Sequence, residues 1–314
     1  MTAFVEFFAR SLNCIVWRRT MTVLALYCFP ARTPELNDLL MSDLAAKRER
    51  LLELLRGYGS CAVAYSGGLD SVTLAKAAQL ALGENAVAVT GTSKSMAEGE
   101  LDQAREVARL IGIRHEEIAT EELGDAAYCE NQADRCYHCK SELFRRVHEV
   151  ARRLNLAVVA DGSNADDRGD YRPGRRAVAE QNVKSPLAEC ELTKAEVRQL
   201  AQAWRLPIWN KPATPCLSSR IAYGEAVTPE RLAMIDRAER FLRERGCQPL
   251  RVRYHKGDVA RIEVGVEQLP QLADARLRAE TVAYFKQLGF KYVSLDLEGF
   301  RSGSMNELLK IEDG

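Results

Sequence analysis

The sequence predicts an α/β protein: a mainly parallel sheet with flanking helices, followed by a small C-terminal α+β unit. Three observations carry that expectation. Short apolar runs alternate with helix-like segments from Cys61 to about residue 189. The first apolar run ends in a glycine turn that opens a helix. Near Gly224 the pattern changes to one capped helix followed by strand-like text in closer succession.

The first forty residues stand apart from this pattern. They hold apolar patches without a steady period and lack the charged start, apolar centre and cleavage site of a signal peptide. A poorly ordered extension, or text from an upstream start, is expected over residues 1–40. From Met41, MSDLAAKRERLLELLRGYG reads as a capped amphipathic helix. CAVAYS is then a strand, DSVTLAKAAQLAL a helix, NAVAVTGTS a strand and EGELDQAREVARLIG a helix. RHEEIAT, LAVVADGSN and VKSPLAE read as further strands, with the basic helix LFRRVHEVARRLN between the first two. Thr228 caps the helix TPERLAMIDRAERFLRERG, with Pro229 at its first position. LRVRYHKG, VARIEVG and KYVSLDLEG supply strands for the smaller unit. The expected domains are thus an extension (1–40), an α/β domain carrying the chemistry (41–223) and an α+β domain (224–314).

Composition narrows the function. The chain has 314 residues, with 44 basic residues against 44 acidic ones. Bulk charge therefore gives no support for nucleic-acid binding, and no apolar run is long enough to span a bilayer. Nine cysteines, an odd and unevenly spaced set, point to a reducing cytoplasm with thiols free for metal or chemistry.

The turn AYSGGLDSVTLAK carries the first chemistry. Gly67 and Gly68 let the backbone bend sharply and approach a ligand. Ser66 and Ser71 offer hydroxyls, and the helix starting near Asp70 points its free amides at the same spot, an arrangement that binds phosphate. The Gly-Lys-Ser/Thr ending of a Walker loop is absent. A plain tight turn is the competing explanation.

The second constellation is cysteine. RCYHCK holds Cys136 and Cys139 just before a helix, with His138 between them. KPATPCLSSR presents Cys216 on a proline-stiffened loop. Two thiols at this spacing chelate a metal, share a cluster, form a redox pair or are simply buried. Cys136, Cys139 and Cys216 suit three irons of a [4Fe–4S] cluster, with the fourth iron open to a sulfide.

SGGLDS resembles the PP-loop of the ATP pyrophosphatases, which have a Rossmann-like sheet. With DGSNADDRGDYRPGRRAVAE, LTKAEVR, KPATPCLSSRIAYGE and RVRYHKGDVARIEV, the chain from Met41 almost to its end resembles the LarE family of ATP-dependent sulfur transferases. The resemblance implies adenylation of a carboxylate of pyridinium-3,5-biscarboxylic acid mononucleotide and its conversion to a thiocarboxylate, a step in building the nickel-pincer nucleotide. It implies ATP and Mg²⁺ at Ser66, Gly67, Gly68, Asp70 and Ser71, with Thr90 and Met96 flanking adenine and ribose. It makes Cys216 the sulfur-transfer cysteine and groups the chain with members carrying a CxxC, which relay sulfide on a three-cysteine cluster. Other members sacrifice their own cysteine sulfur. Homo-oligomers are implied as well.

Positive charge for phosphates and a thiolate is expected from Arg220, Arg251 and Arg253, with Ser218 and Ser219 donating to the substrate phosphate. Asp161, Asp166 and Asp167 are candidates to place Mg²⁺. A tRNA thiolase, an ammonia-using synthetase and a nucleotide sensor with structural zinc are the competing functions.

Overall fold

The computed structural model describes residues 34–169, 173–212, 214–301 and 303–305, with only the backbone given for 34–42 and 168–169. The expectation for residues 1–33 lies outside these. Residues from Lys47 onward form one compact unit. The first helix, α1, runs Pro34–Tyr58, so the helix expected from Met41 begins seven residues earlier, across the expected boundary. The reason is legible afterwards: Pro34 suits a first helical position, and Leu36, Leu39 and Leu40 extend the apolar spacing backwards.

The main sheet has the order β3-β2-β1-β4, all parallel. Its strands are β1 (Cys61–Ala64), β2 (Ala86–Thr92), β3 (Arg114–Ala119) and β4 (Val158–Ala160). Ala62 of β1 lies opposite Val87 and Val159. The interior strands are nearly continuous in apolar residues because helices cover both of their faces. On one face Phe144, Val147, Val150 and Ala151 pack on Ala62, Val87, Val89 and Val159; these four belong to α5 (Arg135–Arg153), counted after α2 (Leu69–Leu82), α3 (Glu100–Ile111) and the short α4 (Ala126–Cys129). α2 packs on β1 and β2, and also on a later helix, α8 (Lys194–Ala203). Between them lie α6 (Gly174–Glu180) and α7 (Pro186–Glu189). The strand expected over VKSPLAE reduces to one bridge, Lys184 to Ala160. Pro186 then starts α7, since proline cannot donate to a ladder.

The second sheet is mixed, in the order β5-β6-β7. β5 (Leu250–His255) and β6 (Val259–Val264) form an antiparallel hairpin, and β7 (Tyr292–Leu295) runs parallel to β6. α9 (Pro229–Arg243), the short α10 (Leu269–Ala273) and α11 (Ala275–Leu288) belong with it. Thr228 caps α9 by accepting from the Arg231 amide. Val252, Ile262, Leu232, Ile235 and Phe285 form its core, and Leu217, Ile221 and Tyr128 join the same cluster. The Cys216 loop is therefore fastened to the small sheet by burial and by a parallel bridge from Ile221 to Tyr254. Burying Leu217 alone contributes about 1.5–3 kcal/mol.

The carboxyl ends of β1, β2 and β4 open toward one place, as ligand sites on such sheets do. Gly162, just past β4, lies against the start of α2: a Cβ there would fall 2.8 Å from the Ser71 nitrogen and 3.0 Å from the Asp70 carbonyl carbon. Backbone cannot yield as a flexible side chain can. Gly162→Ala is expected to cost about 1–3 kcal/mol of stability and to displace the glycine turn. Urea unfolding and nucleotide titration of the variant check both.

Candidate functional site

One cleft of ≈ 1320 Å³ joins the glycine turn, the exits of β2 and β4, the start of α5 and the Cys216 loop. At one end is the glycine turn. Gly67 has φ +72°, a conformation that a side chain disfavours, and the Ala104 side chain closes in from behind. The two hydroxyls are 3.1 Å apart, and Ser71 Oγ also accepts from the Ser66 amide at 3.1 Å and donates to Gly68 O at 3.1 Å. Serine side chains thus hold the turn's shape. Asp70 bonds to Lys194 Nζ and accepts from Asn164 Nδ2 at 3.3 Å. Lys194 is the first residue of α8, and sequence reading missed it; 124 residues separate it from Asp70.

Thr90 and Met96 both line the cleft, but Met96 lies beside the thiol loop, since Ser95 O accepts from the Leu217 amide at 2.8 Å. The Thr90 hydroxyl is already engaged, donating to Tyr65 O at 2.7 Å and lying 2.8 Å from His115 Nε2. Of the three acids singled out, Asp161 and Asp167 line the cleft and Asp166 does not. Asp161 is buried and accepts from Ser163 Oγ at 2.6 Å and Ser185 Oγ at 2.7 Å. Asp166 instead accepts from the Lys194 amide at the start of α8.

Elsewhere in the cleft Cys136 lines the wall with Pro215 and Ser219 of the thiol loop, whereas Cys139 and Cys216 themselves are not among the lining residues. Cys136 and Cys139 do not precede a helix; they lie in the first turns of α5. Cys136 and Cys216 are exposed and Cys139 is half-buried. Burial, then the neighbouring Cys216, Glu122 and Cys136, push the Cys139 thiol well above its ordinary range. The three thiols therefore share one electrostatic neighbourhood. Among the described residues, however, no group of three or more His, Cys, Asp or Glu is spaced to hold a metal ion. The three thiols are donors of the kind an iron–sulfur cluster takes, but their spacing in this structure is not that of a metal site. His138 turns elsewhere, toward Asp125 at 3.1 Å and Asp134 at 3.6 Å.

Arg135, also missed from sequence, is buried beside these thiols. Burial lowers the pKa of its guanidinium, but Cys216, Cys136, Tyr223 and Tyr128 nearby together hold it above the ordinary value. Lys140, one residue past Cys139, lines the cleft with Nζ 3.6 Å from Asp161.

The arginines divide their work. Arg220, expected to hold a substrate phosphate, points inward instead. It is 1 % exposed, pairs with Glu239 at 3.0 Å and donates to the carbonyls of Pro215 and Cys216. A buried guanidinium requires such partners, so Arg220 holds the thiol loop and does not line the cleft. Ser218 is likewise spent, bonded to Tyr128 Oη at 2.6 Å. Ser219, Arg251 and Arg253 do line the cleft. Arg253 pairs with Glu263 at 2.8 Å and donates to Ser219 O at 3.2 Å. Burial, with Arg220 and Arg253 nearby, pushes Arg251 down to about 10; an anion beside it would relieve that strain. Arg301, unremarked in the sequence, joins the lining.

This wiring has two measurable consequences. Glu239→Ala leaves the buried Arg220 without its carboxylate and should cost about 3–5 kcal/mol in chemical denaturation. Burial lowers the His115 pKa, with Glu117 opposing. Between that lowered value and the ordinary one near 6.5, the unfolded chain binds a proton that the folded chain refuses. Stability should thus fall as pH drops below about 6.5, and His115→Asn should flatten that slope.

No protein-family model matches the chain. Comparison with curated proteins finds an uncharacterized protein of Synechocystis sp., 45% identical over 266 residues, covering 85% of this chain and 99% of that one. The pyridinium-3,5-bisthiocarboxylic acid mononucleotide synthase of Lactiplantibacillus plantarum is 36% identical over 270 residues, covering 86% of this chain and 97% of its own. A glutamine-hydrolyzing GMP synthase subunit of Methanocella arvoryzae is 28% identical over 208 residues, covering 62% and 67%. No helix among the described residues is long and apolar enough to cross a membrane. With 36% identity over 270 aligned residues that span 97% of the L. plantarum synthase, and with the glycine turn and thiol loop facing one cleft, the chain belongs to the LarE family.

Proposed function

We propose that this protein is an ATP-dependent sulfur transferase of nickel-pincer nucleotide biosynthesis, acting in the cytoplasm as a homo-oligomer. It adenylates a carboxylate of pyridinium-3,5-biscarboxylic acid mononucleotide and converts it to a thiocarboxylate. The observation that carries this reading is the single cleft shared by the glycine turn, Cys136, the Pro215 and Ser219 flanks of the Cys216 loop, and Arg251 and Arg253. The names of two relatives support it. One is the synthase of the bisthiocarboxylic acid mononucleotide. The other, a GMP synthase subunit, agrees with an ATP pyrophosphatase core.

In this reading the phosphates of ATP lie on Ser66, Gly67, Gly68, Asp70 and Ser71, at the positive end of α2. Mg²⁺ would offset part of their charge, with Asp70, Asp161 and Asp167 the candidate carboxylates that line the cleft. Thr90 and Met96 border the nucleoside. The substrate phosphate goes to Arg251, Arg253 and Ser219, the cationic side of the cleft. The substrate carboxylate attacks the α phosphorus, and pyrophosphate leaves with the bonding pair. The resulting acyl adenylate is an electrophile that the free carboxylate is not. A sulfur nucleophile at the Cys216 loop adds to the acyl carbon, and AMP departs. Cys136, Cys139 and Cys216 are the residues that would hold a [4Fe–4S] cluster, which when bound supplies an open iron for sulfide. Arg220 contributes by fixing the carbonyls on either side of the Cys216 nitrogen and so the loop's path.

Cys216→Ala should abolish thiocarboxylate formation and leave pyrophosphate release intact. Asp70→Asn should remove pyrophosphate release itself. Unimpaired sulfur transfer by the first variant would sink the assignment. Protein purified without oxygen should carry iron and labile sulfide that are lost in each of the three cysteine variants. Iron-free protein that still transfers sulfur once, leaving dehydroalanine at position 216, would replace the cluster with sacrifice of the cysteine's own sulfur.

A further inference from the structure

Arg135 is only 5 % exposed, yet among the described residues no carboxylate forms an ion pair with it. Its hydrogen bonding is one-sided. Nη1 donates to Asn131 Oδ1 and, at 2.9 Å, to Ser218 O. Nε and Nη2 donate to no described residue. The side chain lines the cleft with Cys136 and Tyr223, and the Tyr223 ring centroid is 5.9 Å from its Cζ. A buried guanidinium without a counter-anion is costly, so this one is built to meet an anion that arrives from the cleft. The unused edge identifies the anion's shape. Nε and Nη2 present two parallel N–H bonds, the fork that matches the two oxygens of a planar carboxylate.

We propose that Arg135 seats the carboxylate group of the substrate through its Nε–Nη2 edge, beside the thiols of Cys136 and Cys216. The inference rests on reading the cleft as a carboxylate-activating sulfur-transfer site, and it adds the residue that orients the reacting group. Nη1, tied to Ser218 O, couples that seat to the loop bearing Cys216. The substrate is then held at two ends, with its phosphate at Arg251 and Arg253 and its aromatic carboxylate at Arg135. After transfer the thiocarboxylate keeps a planar two-atom edge, weakened as an acceptor at sulfur, which favours release.

The test uses the full chain with reduced thiols, titrated calorimetrically with pyridine-3,5-dicarboxylate and with pyridine-3,5-dicarboxamide. Wild type should prefer the dicarboxylate by roughly tenfold or more, the scale of a charge-assisted hydrogen-bond pair. Arg135→Gln should lose that preference, and Arg135→Lys, a cation without the fork, should keep only part of it. The unfolding midpoint of each variant reports on folding. A measurement without mutation runs beside it. Phenylglyoxal labelling of Arg135 in wild type, read by mass spectrometry, should be slowed by the dicarboxylate and not by the dicarboxamide. Equal binding of the two probes, an undiminished preference in a folded Arg135→Gln, or unprotected labelling of Arg135 overturns the proposal. If Arg135→Gln does not fold, the wild-type labelling decides. Intact probe recognition without any pyrophosphate release would keep Arg135 as a carboxylate seat and sink only the sulfur-transfer reading.

Discussion

The buried pair of Arg220 and Glu239 holds the site together. Arg220 comes from the thiol loop and Glu239 from α9, and neither side chain is more than 3 % exposed. Two charges removed from water are tolerable only when nearly every donor and acceptor is used. Here the guanidinium reaches both carboxylate oxygens and two loop carbonyls, and Glu239 accepts in addition from the Val252 amide of β5. Main chain, cation, carboxylate and strand thus form one connected network. Its consequence is the direction of Cys216. The loop's carbonyls are held inward, Leu217 is buried against the small sheet, and the thiol is left on the outside.

This network also decides where the positive charge of the cleft comes from. An arginine committed to the loop is not available to a ligand, so the cationic lining falls to other elements: Arg135 and Lys140 of α5, Arg175 of α6, Arg251 and Arg253 of β5, and Arg301. Thiol placement and phosphate attraction are therefore handled by different arginines, although Arg220 and Arg251 still sense each other electrostatically. Similar economy holds at the glycine turn, where Ser66 and Ser71 stabilise one another and leave the amides at the start of α2 to face a ligand.

Much of this was legible in the sequence, and the limits follow from range. Alternation of apolar runs marked the parallel sheet, because buried strands and amphipathic helices have different periods. The glycine turn was recognisable since strand, turn and helix are contiguous in SGGLDS. RCYHCK was misplaced by one element: nothing local distinguishes a helix's first turn from the loop before it, and Asp134 ends that loop without a side-chain cap bond. The strand read into VKSPLAE failed at its proline. Arg220 was assigned to a ligand because its partner, Glu239, lies on another element. Lys194 and Arg135 act through contacts that no local pattern encodes.

Helix α5 has one further property. Cys136, Lys140, Leu143 and Phe144 share the stripe that faces the cleft, while His138, Ser141, Glu142 and Arg145 border a separate acidic groove on the opposite side. From Cys136 to Phe144 the axial rise is about 12 Å. The stripe passes over that length from thiol to ammonium to an apolar wall. The helix is a rigid ruler against which a ligand is measured: its markings are chemical, and their spacing is fixed by backbone hydrogen bonds. Inserting one residue between these positions would rotate the thiol by roughly 100° around the axis and turn it from the cleft toward the groove. Length along this segment is thus as constrained as residue identity, although much of its outer face is ordinary solvated helix.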